Sequence, residues 1–430
     1  MRLTARPGLR LVGALAAPGD KSVSHRALIL GALAQGVTVV EGLLESADVL
    51  ATARAVAAFG AGVEQRGAGH WRVTGAPWRT PAAPIDCGNS GTACRLLMGA
   101  AFGQGVGATF TGDASLSARP MGRVTRPLGA MGAAFEGGDH LPLRLLPGRP
   151  GGIDHVADIA SAQVKSALLL AGLGTSAPVS VTEPVRTRDH SERMLRAFGA
   201  DVAEADTPAG RRIVLGPRRR LRGRAISVPG DPSSAAFPLA AALVVPGSAV
   251  TMRGVLANPL RAGLYETLIE MGARLQLDIT EAAGEPVADM TARHGPLAGV
   301  TVPAARAARM IDEYPMLAAL AAFARGTTRM EGVAELRVKE SDRIALMVAG
   351  LRACGVACDE GPDWFAVHGT GDPPAGGATI ATHGDHRIAM AFLVLGLGAR
   401  APVRVADADM IATSFPGFVP LMRALGADIG

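Results

Sequence analysis

Phe198-Gly199-Ala200 closes an amphipathic stretch and opens an extended one, and the fold of this 430-residue chain follows from how often that step recurs. Its counterparts are Phe59-Gly60-Ala61, Met131-Gly132-Ala133, Met271-Gly272-Ala273, Cys354-Gly355-Val356 and Leu425-Gly426-Ala427. The six glycines lie 72, 67, 73, 83 and 71 residues apart. Glycine takes the left-handed conformation past a last helical turn with no side-chain penalty, so each step predicts a helix end and then a strand. Six steps at a near-constant period describe an internal repeat. The period is too long for a solenoid unit and suits a small α/β module holding more than one helix.

A second echo divides the six modules into halves. Pro18-Gly19-Asp20-Lys21-Ser22 returns 211 residues later as Pro229-Gly230-Asp231-Pro232-Ser233, each opening an apolar helical run, 27–33 and 235–243. Three modules separate the echoes, which predicts two related α/β domains. One is residues 21–228; the other is residues 229–430 joined by a first strand within residues 1–20. Segments 93–102, 164–173, 344–353 and 388–397 are apolar on most faces and read as helices inside those domains.

Composition narrows the function classes. With 48% hydrophobic and 19% charged residues the chain is globular rather than disordered. A net charge of +5 suits a protein for small acidic molecules. The run Pro217-Arg218-Arg219-Arg220 is isolated and lacks interleaved aromatics, so it reads as a solvated loop and no nucleic-acid partner is expected. Cys87, Cys94, Cys354 and Cys358 show no metal or disulfide spacing, which fits free thiols in a reducing cytoplasm. His383 and His386 have no third ligand nearby in sequence, so no metal is expected. Met1–Pro7 has no apolar signal core, and no apolar run reaches 18 residues, so a cytoplasmic protein with no membrane partner is expected.

The basic residues are unevenly chosen. Of 43 only three are lysine, Lys21, Lys165 and Lys339, and the other 40 are arginine. Arginine keeps charge and solubility, but its wide planar head cannot stand in for a compact ammonium in a tight anion pocket or give up a proton. The surviving lysines therefore mark candidate chemistry, and each stands beside hydroxyls or a carboxylate. Gly88-Asn89-Ser90-Gly91-Thr92 precedes a helix and offers backbone donors to an anion. Arg26, Arg119, Arg188, Arg343 and Arg387 precede or open helices. Singly each reads as a surface cation; together with the lysines they describe a cleft for at least two polyanionic groups. Asp312, Glu313 and Glu340 supply acids. Each reads alone as a helix-dipole partner or a solvated pair, and as a proton carrier if it faces that cleft.

Nine segments in order carry a closer resemblance: 18–26, 88–95, Arg119-Pro120-Met121-Gly122, 161–166, Thr187-Arg188-Asp189-His190, Asp312-Glu313-Tyr314-Pro315, 339–343, Gly384-Asp385-His386-Arg387 and Thr413-Ser414-Phe415-Pro416. From residue 18 to 416 the chain resembles the 5-enolpyruvylshikimate-3-phosphate synthase (3-phosphoshikimate 1-carboxyvinyltransferase) family, in its second-class wording. The resemblance implies two domains of three βαβαββ units each, an inside-out α/β barrel with the active site in the interdomain cleft. It implies a cofactor-free, metal-free monomer whose only partners are shikimate 3-phosphate and phosphoenolpyruvate. By the same resemblance Lys21, Ser22, Arg26, Ser161, Ala162, Gln163, Arg188, Asp312 and Lys339 hold shikimate 3-phosphate. Lys21, Asn89, Gly91, Arg119, Gln163, Arg343 and Arg387 surround phosphoenolpyruvate. Lys21, Asp312, Lys339 and Glu340 are the catalytic set, with Asp312 and Lys339 handling the 5-hydroxyl proton and Glu340 the methylene carbon. Lys165 falls to a supporting or structural place.

The chain departs from the pattern twice. Thr413 stands where many members carry a lysine, and Gly91 stands where glyphosate-tolerant members carry alanine, which implies a glyphosate-sensitive site. The sister enolpyruvyl transferase acting on UDP-N-acetylglucosamine shares the six-unit fold but uses a loop cysteine, which no cysteine here matches. A nucleic-acid-binding repeat protein would explain the charge but not the Lys-Glu and Asp-Glu pairs.

Overall fold

The computed structural model describes residues 1–282 and 285–430 and divides into two compact units, Gly19–Val228 and Met1–Pro18 with Pro229–Gly430. Each unit contains three four-stranded sheets built to one plan. The module from Ile153 to Leu215 shows it. Strand Ile153–Val156 leads into helix Ala162–Gly172, then strand Val179–Glu183, helix His190–Ala197, and the antiparallel strands Val202–Thr207 and Gly210–Leu215. The first two strands run parallel, and the fourth lies between the second and third. This is the βαβαββ unit that the motif resemblance implies.

Closing each unit requires strands from distant parts of the chain. In Gly19–Val228 the first strand of the first sheet is Ala225–Ser227, parallel to Val37–Glu41. In the other unit Val12–Ala16 lies parallel to the Ala249–Leu256 strand. Leu3–Arg6 completes the last sheet between Val403–Val405 and Asp428–Ile429. The N-terminal residues therefore belong by hydrogen bonding to the unit formed by residues 229–430.

All six steps end a helix as their sequence predicts. Gly60, Gly132, Gly199, Gly272, Gly355 and Gly426 have φ of 114°, 99°, 98°, 80°, 82° and 106°. The apolar residue before each glycine is buried, so the helix end is pinned into its core while the chain reverses.

The cores are organised around helices buried on nearly every face. In the first unit these are Lys21–Leu33, Gly91–Gly103 and Ala162–Gly172; in the second, Pro232–Val244, Tyr314–Ala321 and His386–Gly398. Each extends to within a residue or two of the polar cluster at its start. Thus Lys21 lies in a first helical turn, because Asp20 caps it by accepting from the Val23 amide at 2.8 Å. The Gly91–Gly103 and Ala162–Gly172 helices touch through glycine. A Cβ at Gly99 would lie 2.2 Å from the Ala167 carbonyl oxygen, and one at Gly103 would lie 2.6 Å from that of Leu170.

At the other end of these helices the arginine run is not merely solvated. Arg219 is half-buried and its guanidinium donates to the carbonyls of Gly172 (3.0 Å), Gly216 (2.8 Å), Leu215 (3.2 Å) and Thr175. It neutralises the carbonyl end of the Ala162–Gly172 helix, the favourable place for a cation. Gly199→Ala isolates the backbone requirement, since a Cβ there meets nothing within 4 Å while φ is 98°. It is expected to lower stability by about 1–2 kcal/mol, read as a shift of the urea midpoint with unchanged slope.

Candidate active site

The first unit collects basic residues and hydroxyls at the starts of its three buried helices. N–H groups at a helix start are unpaired and carry partial positive charge, so three such starts favour anions before any side chain is counted. Side chains link them. Gln163 accepts from Arg95 Nη1 at 2.7 Å and donates to the Thr92 hydroxyl at 2.9 Å, joining the second helix to the third. His25 connects the first helix outward through Thr52 Oγ1 (2.7 Å) and Ser90 Oγ (3.5 Å). Burial, with Lys21 and Arg26 beside it, pushes the His25 pKa well below the ordinary range, so the ring is neutral at pH 7.

The predicted residues of this unit fall into two groups. Asn89, Gly91, Arg119 and Gln163 surround one spot. Arg119 Nη2 donates to Asn89 Oδ1 at 2.7 Å, and Asn89 Nδ2 to Asp113 Oδ2 at 2.7 Å, so Asn89 aims an arginine. A Cβ at Gly91 would lie 2.9 Å from Arg95 Nη1 and 3.5 Å from Arg119 Nη1, which places Gly91 between two guanidinium groups. Ser22, Arg26, Ser161 and Ala162 form the second group. Arg26 is buried, and its guanidinium donates to Ser191 Oγ (2.8 Å), Ser166 Oγ (2.8 Å) and the Ser22 carbonyl (3.0 Å). Ser161 is an N-cap residue whose hydroxyl makes no capping bond. Lys21 forms an ion pair with Asp48 and is 20% exposed. Arg188 is half-buried just before the helix that carries Ser191.

In the second unit Arg343 is the hub. Only 1% of its side chain is exposed, and three carboxylates surround it. Nε donates to Asp385 Oδ2 at 2.8 Å, Nη2 to Glu340 Oε2 at 2.6 Å, and Nη1 lies 3.6 Å from Asp312 Oδ1. Asp385 also accepts from Ser341 (3.0 Å) and caps the next helix through the Arg387 amide (2.9 Å). Arg387 Nη1 donates to the Asp312 carbonyl at 3.1 Å. Lys339 Nζ lies 3.9 Å from Asp312 Oδ1 with 23% of its side chain exposed. The structure thus brings Asp312, Lys339, Glu340, Arg343 and Arg387 together. Glu313, next to Asp312, turns into the core, where Ser233 donates to it. Thr413 donates to the Met410 carbonyl at 2.7 Å, serving a local turn.

Two shifts follow from burial and charge. Burial pulls the Lys339 ammonium below the ordinary lysine range, against the attraction of Asp312. Burial opposes ionisation of Asp385, but the Arg343 guanidinium overrides it and the carboxyl falls below the ordinary aspartate range.

Sequence reading left Arg95 and Asp385 without roles. Arg95 lies four residues past Gly91, the spacing that puts both on one helix face, and that signal was available. Asp385 stood inside a quoted motif, but its partner Arg343 is 42 residues away and only the fold unites them.

Two α/β units, each built from three four-stranded modules, have the fold of the enolpyruvyl-transferase type. The enolpyruvyl transferase NikO from Streptomyces tendae is similar in fold, with a TM-score of 0.77 at 19% identity over 100% of this chain and 98% of that one. The chain belongs to the EPSP synthase (3-phosphoshikimate 1-carboxyvinyltransferase) family, whose sequence model matches residues 5–422. It is similar to the 3-phosphoshikimate 1-carboxyvinyltransferase of Caulobacter vibrioides (strain NA1000 / CB15N), 58% identical over 99% of this chain and 98% of that protein. A second relative of that name, from Phenylobacterium zucineum (strain HLK1), is 59% identical over 99% of this chain and 95% of its own. An EPSP synthase structure from Acinetobacter baumannii has a TM-score of 0.87 at 41% identity, covering 100% of this chain and 99% of that one.

Asp385→Asn is expected to lower stability by about 3–5 kcal/mol at neutral pH, because it removes one partner of a buried ion pair. The folded carboxyl is more acidic than an unfolded one. Its contribution is therefore complete above about pH 4 and fades as pH falls through the lowered folded value. Urea midpoints of wild type and variant should converge on the acid side.

Proposed function

We propose that the chain performs its family's reaction with the two residue sets described above. It transfers the enolpyruvyl group of phosphoenolpyruvate to the 5-hydroxyl of shikimate 3-phosphate and releases phosphate. The observation that carries the assignment of roles is Arg343, one buried guanidinium that holds Glu340 at 2.6 Å and Asp312 at 3.6 Å. Two acids fixed by one rigid fork keep a constant separation. That suits an addition-elimination in which one gives a proton while the other takes one.

In the addition, Glu340 protonates the methylene carbon of phosphoenolpyruvate. The 5-hydroxyl oxygen bonds to the neighbouring carbon and loses its proton to Asp312, giving a tetrahedral ketal phosphate. In the elimination the carbon–oxygen bond to phosphate breaks, the phosphate leaves with the proton taken up at Asp312, and Glu340 recovers a proton from the methyl group. Lys339, with its lowered pKa, eases proton movement at Asp312. Arg119, Arg343 and Arg387 balance the carboxylate and phosphate of phosphoenolpyruvate, with Asn89, Gly91 and Gln163 shaping the place they occupy. Ser22, Arg26, Ser161, Ala162, Gln163 and Arg188 hold shikimate 3-phosphate, and Lys21 contacts both substrates.

The alternative acceptor UDP-N-acetylglucosamine is not favoured. That chemistry uses a loop cysteine, and Cys87, Cys94, Cys354 and Cys358 are all buried here. Buried free thiols also suit a cytoplasmic location, and no described helix is long and apolar enough to cross a membrane.

Phosphate release from phosphoenolpyruvate tests the reading. Release should require shikimate 3-phosphate; release with UDP-N-acetylglucosamine alone would overturn it. Lys21→Arg and Lys339→Arg should each cost at least about tenfold in rate, roughly 1.4 kcal/mol. A Cβ at Gly91 would sit 2.9 Å from Arg95 Nη1, so Gly91→Ala requires that guanidinium to shift, and is expected to raise KM for phosphoenolpyruvate several-fold and the inhibition constant of glyphosate by more. Equal glyphosate inhibition constants would show that Gly91 does not set sensitivity.

A further inference from the structure

The third lysine is buried. Lys165 is 2% exposed, and its ammonium lies 2.8 Å from Glu183 Oε2 and 2.6 Å from Glu192 Oε1, themselves 4% and 1% exposed. The three residues come from three elements: helix Ala162–Gly172, the end of strand Val179–Glu183, and the first turn of helix His190–Ala197. Thr187, immediately before Arg188, donates its hydroxyl to the other oxygen of Glu183. Burial works against the ammonium, but Glu192 and Glu183 hold its pKa above the ordinary lysine range, while burial pushes the Glu192 carboxyl above the ordinary glutamate range.

Isolated buried ion pairs are weak evidence of stabilisation, since desolvation offsets the attraction. What distinguishes this cluster is its neighbours. Ser166 follows Lys165 and Ser191 precedes Glu192. Their hydroxyls lie 2.6 Å apart and together receive the Arg26 guanidinium. Gln163 precedes Lys165 by two residues, in the same first turn. The ammonium therefore sets the distance between the two helices on which Arg26 rests, the turn carrying Gln163, and the loop carrying Arg188.

We propose that Lys165 is the positioning residue for shikimate 3-phosphate, holding Gln163, Arg26 and Arg188 in register through its two glutamates; this rests on the functional reading above. A single nitrogen fits between two carboxylates at 2.6 and 2.8 Å in a closed space, and a planar guanidinium does not. That accounts for a lysine here in a chain that otherwise uses arginine.

Calorimetric titration with shikimate 3-phosphate alone, without phosphoenolpyruvate, tests it. Lys165→Met should weaken binding at least tenfold, and Lys165→Arg should fail to rescue it. Leu169→Ala, in the core of the same helix, controls for lost stability and should bind within twofold of wild type. Thr187→Val keeps all three charged groups of the clamp; it should weaken binding about threefold by freeing the loop of Arg188. Binding by Lys165→Met within twofold of wild type would overturn the proposal. So would an equal weakening in Leu169→Ala, or no change in Thr187→Val. Wild-type protein that binds shikimate 3-phosphate but releases no phosphate would count against the proposed reaction and leave the clamp standing.

Discussion

A helix buried on every side can meet polar matter only at its ends. Each unit has three such helices, and their sides are committed to apolar packing. Polar function is thereby confined to helix starts, where unpaired N–H groups favour anions, and to helix ends, where carbonyls favour cations. In the first unit the starts gather hydroxyls, Gln163 and the site arginines, and at one end Arg219 binds the terminal carbonyls. The location of the candidate site is a consequence of burying the helices.

The same constraint explains which cations are used. Where an anion must be gripped in a plane, arginine appears, aimed by a neutral partner such as Asn89 or by carboxylates as with Arg343. Where one nitrogen must sit among several oxygens, as Lys165 does, or change its proton affinity with burial, as Lys339 does, lysine remains. Residue choice follows the geometry of the partner more than the sign of the charge.

Legibility in the sequence divides along the same line. The six glycine steps were readable because the left-handed conformation is a local demand that only glycine meets without strain. The two halves followed from their spacing. The residues at helix starts were readable as motifs, since each start is a short contiguous segment. Pairings across elements were not. Lys165 finds Glu183 and Glu192 at separations of 18 and 27 residues, and Arg343 finds Asp385 at 42, through helix packing that no local pattern encodes. The arginine run looked solvated because nothing near it in sequence announces the carbonyls that Arg219 receives.

Repetition produced equivalent helix starts with different surroundings. Asp20 and Asp231 occupy matching positions and cap their helices alike, Asp20 through the Val23 amide and Asp231 through those of Ser233 and Ser234. The next residue separates their fates. Lys21 and Ser22 remain partly exposed, so that start keeps a cation and a hydroxyl within reach of solvent. At the matching place Pro232 has no N–H to offer, and Ser233 and Ser234 are buried. Arg261 fills the space instead, donating to Ser233 at 2.8 Å and lying 3.5 Å from Asp231, while Tyr265 donates to the Pro232 carbonyl at 2.6 Å. The protein's own guanidinium closes over this start, whereas Lys21 and Ser22 stay partly exposed at the other. One start is sealed by buried side chains; the other keeps polar groups at the surface. The lysine whose rarity first drew attention to residue 21 marks the copy that was left open.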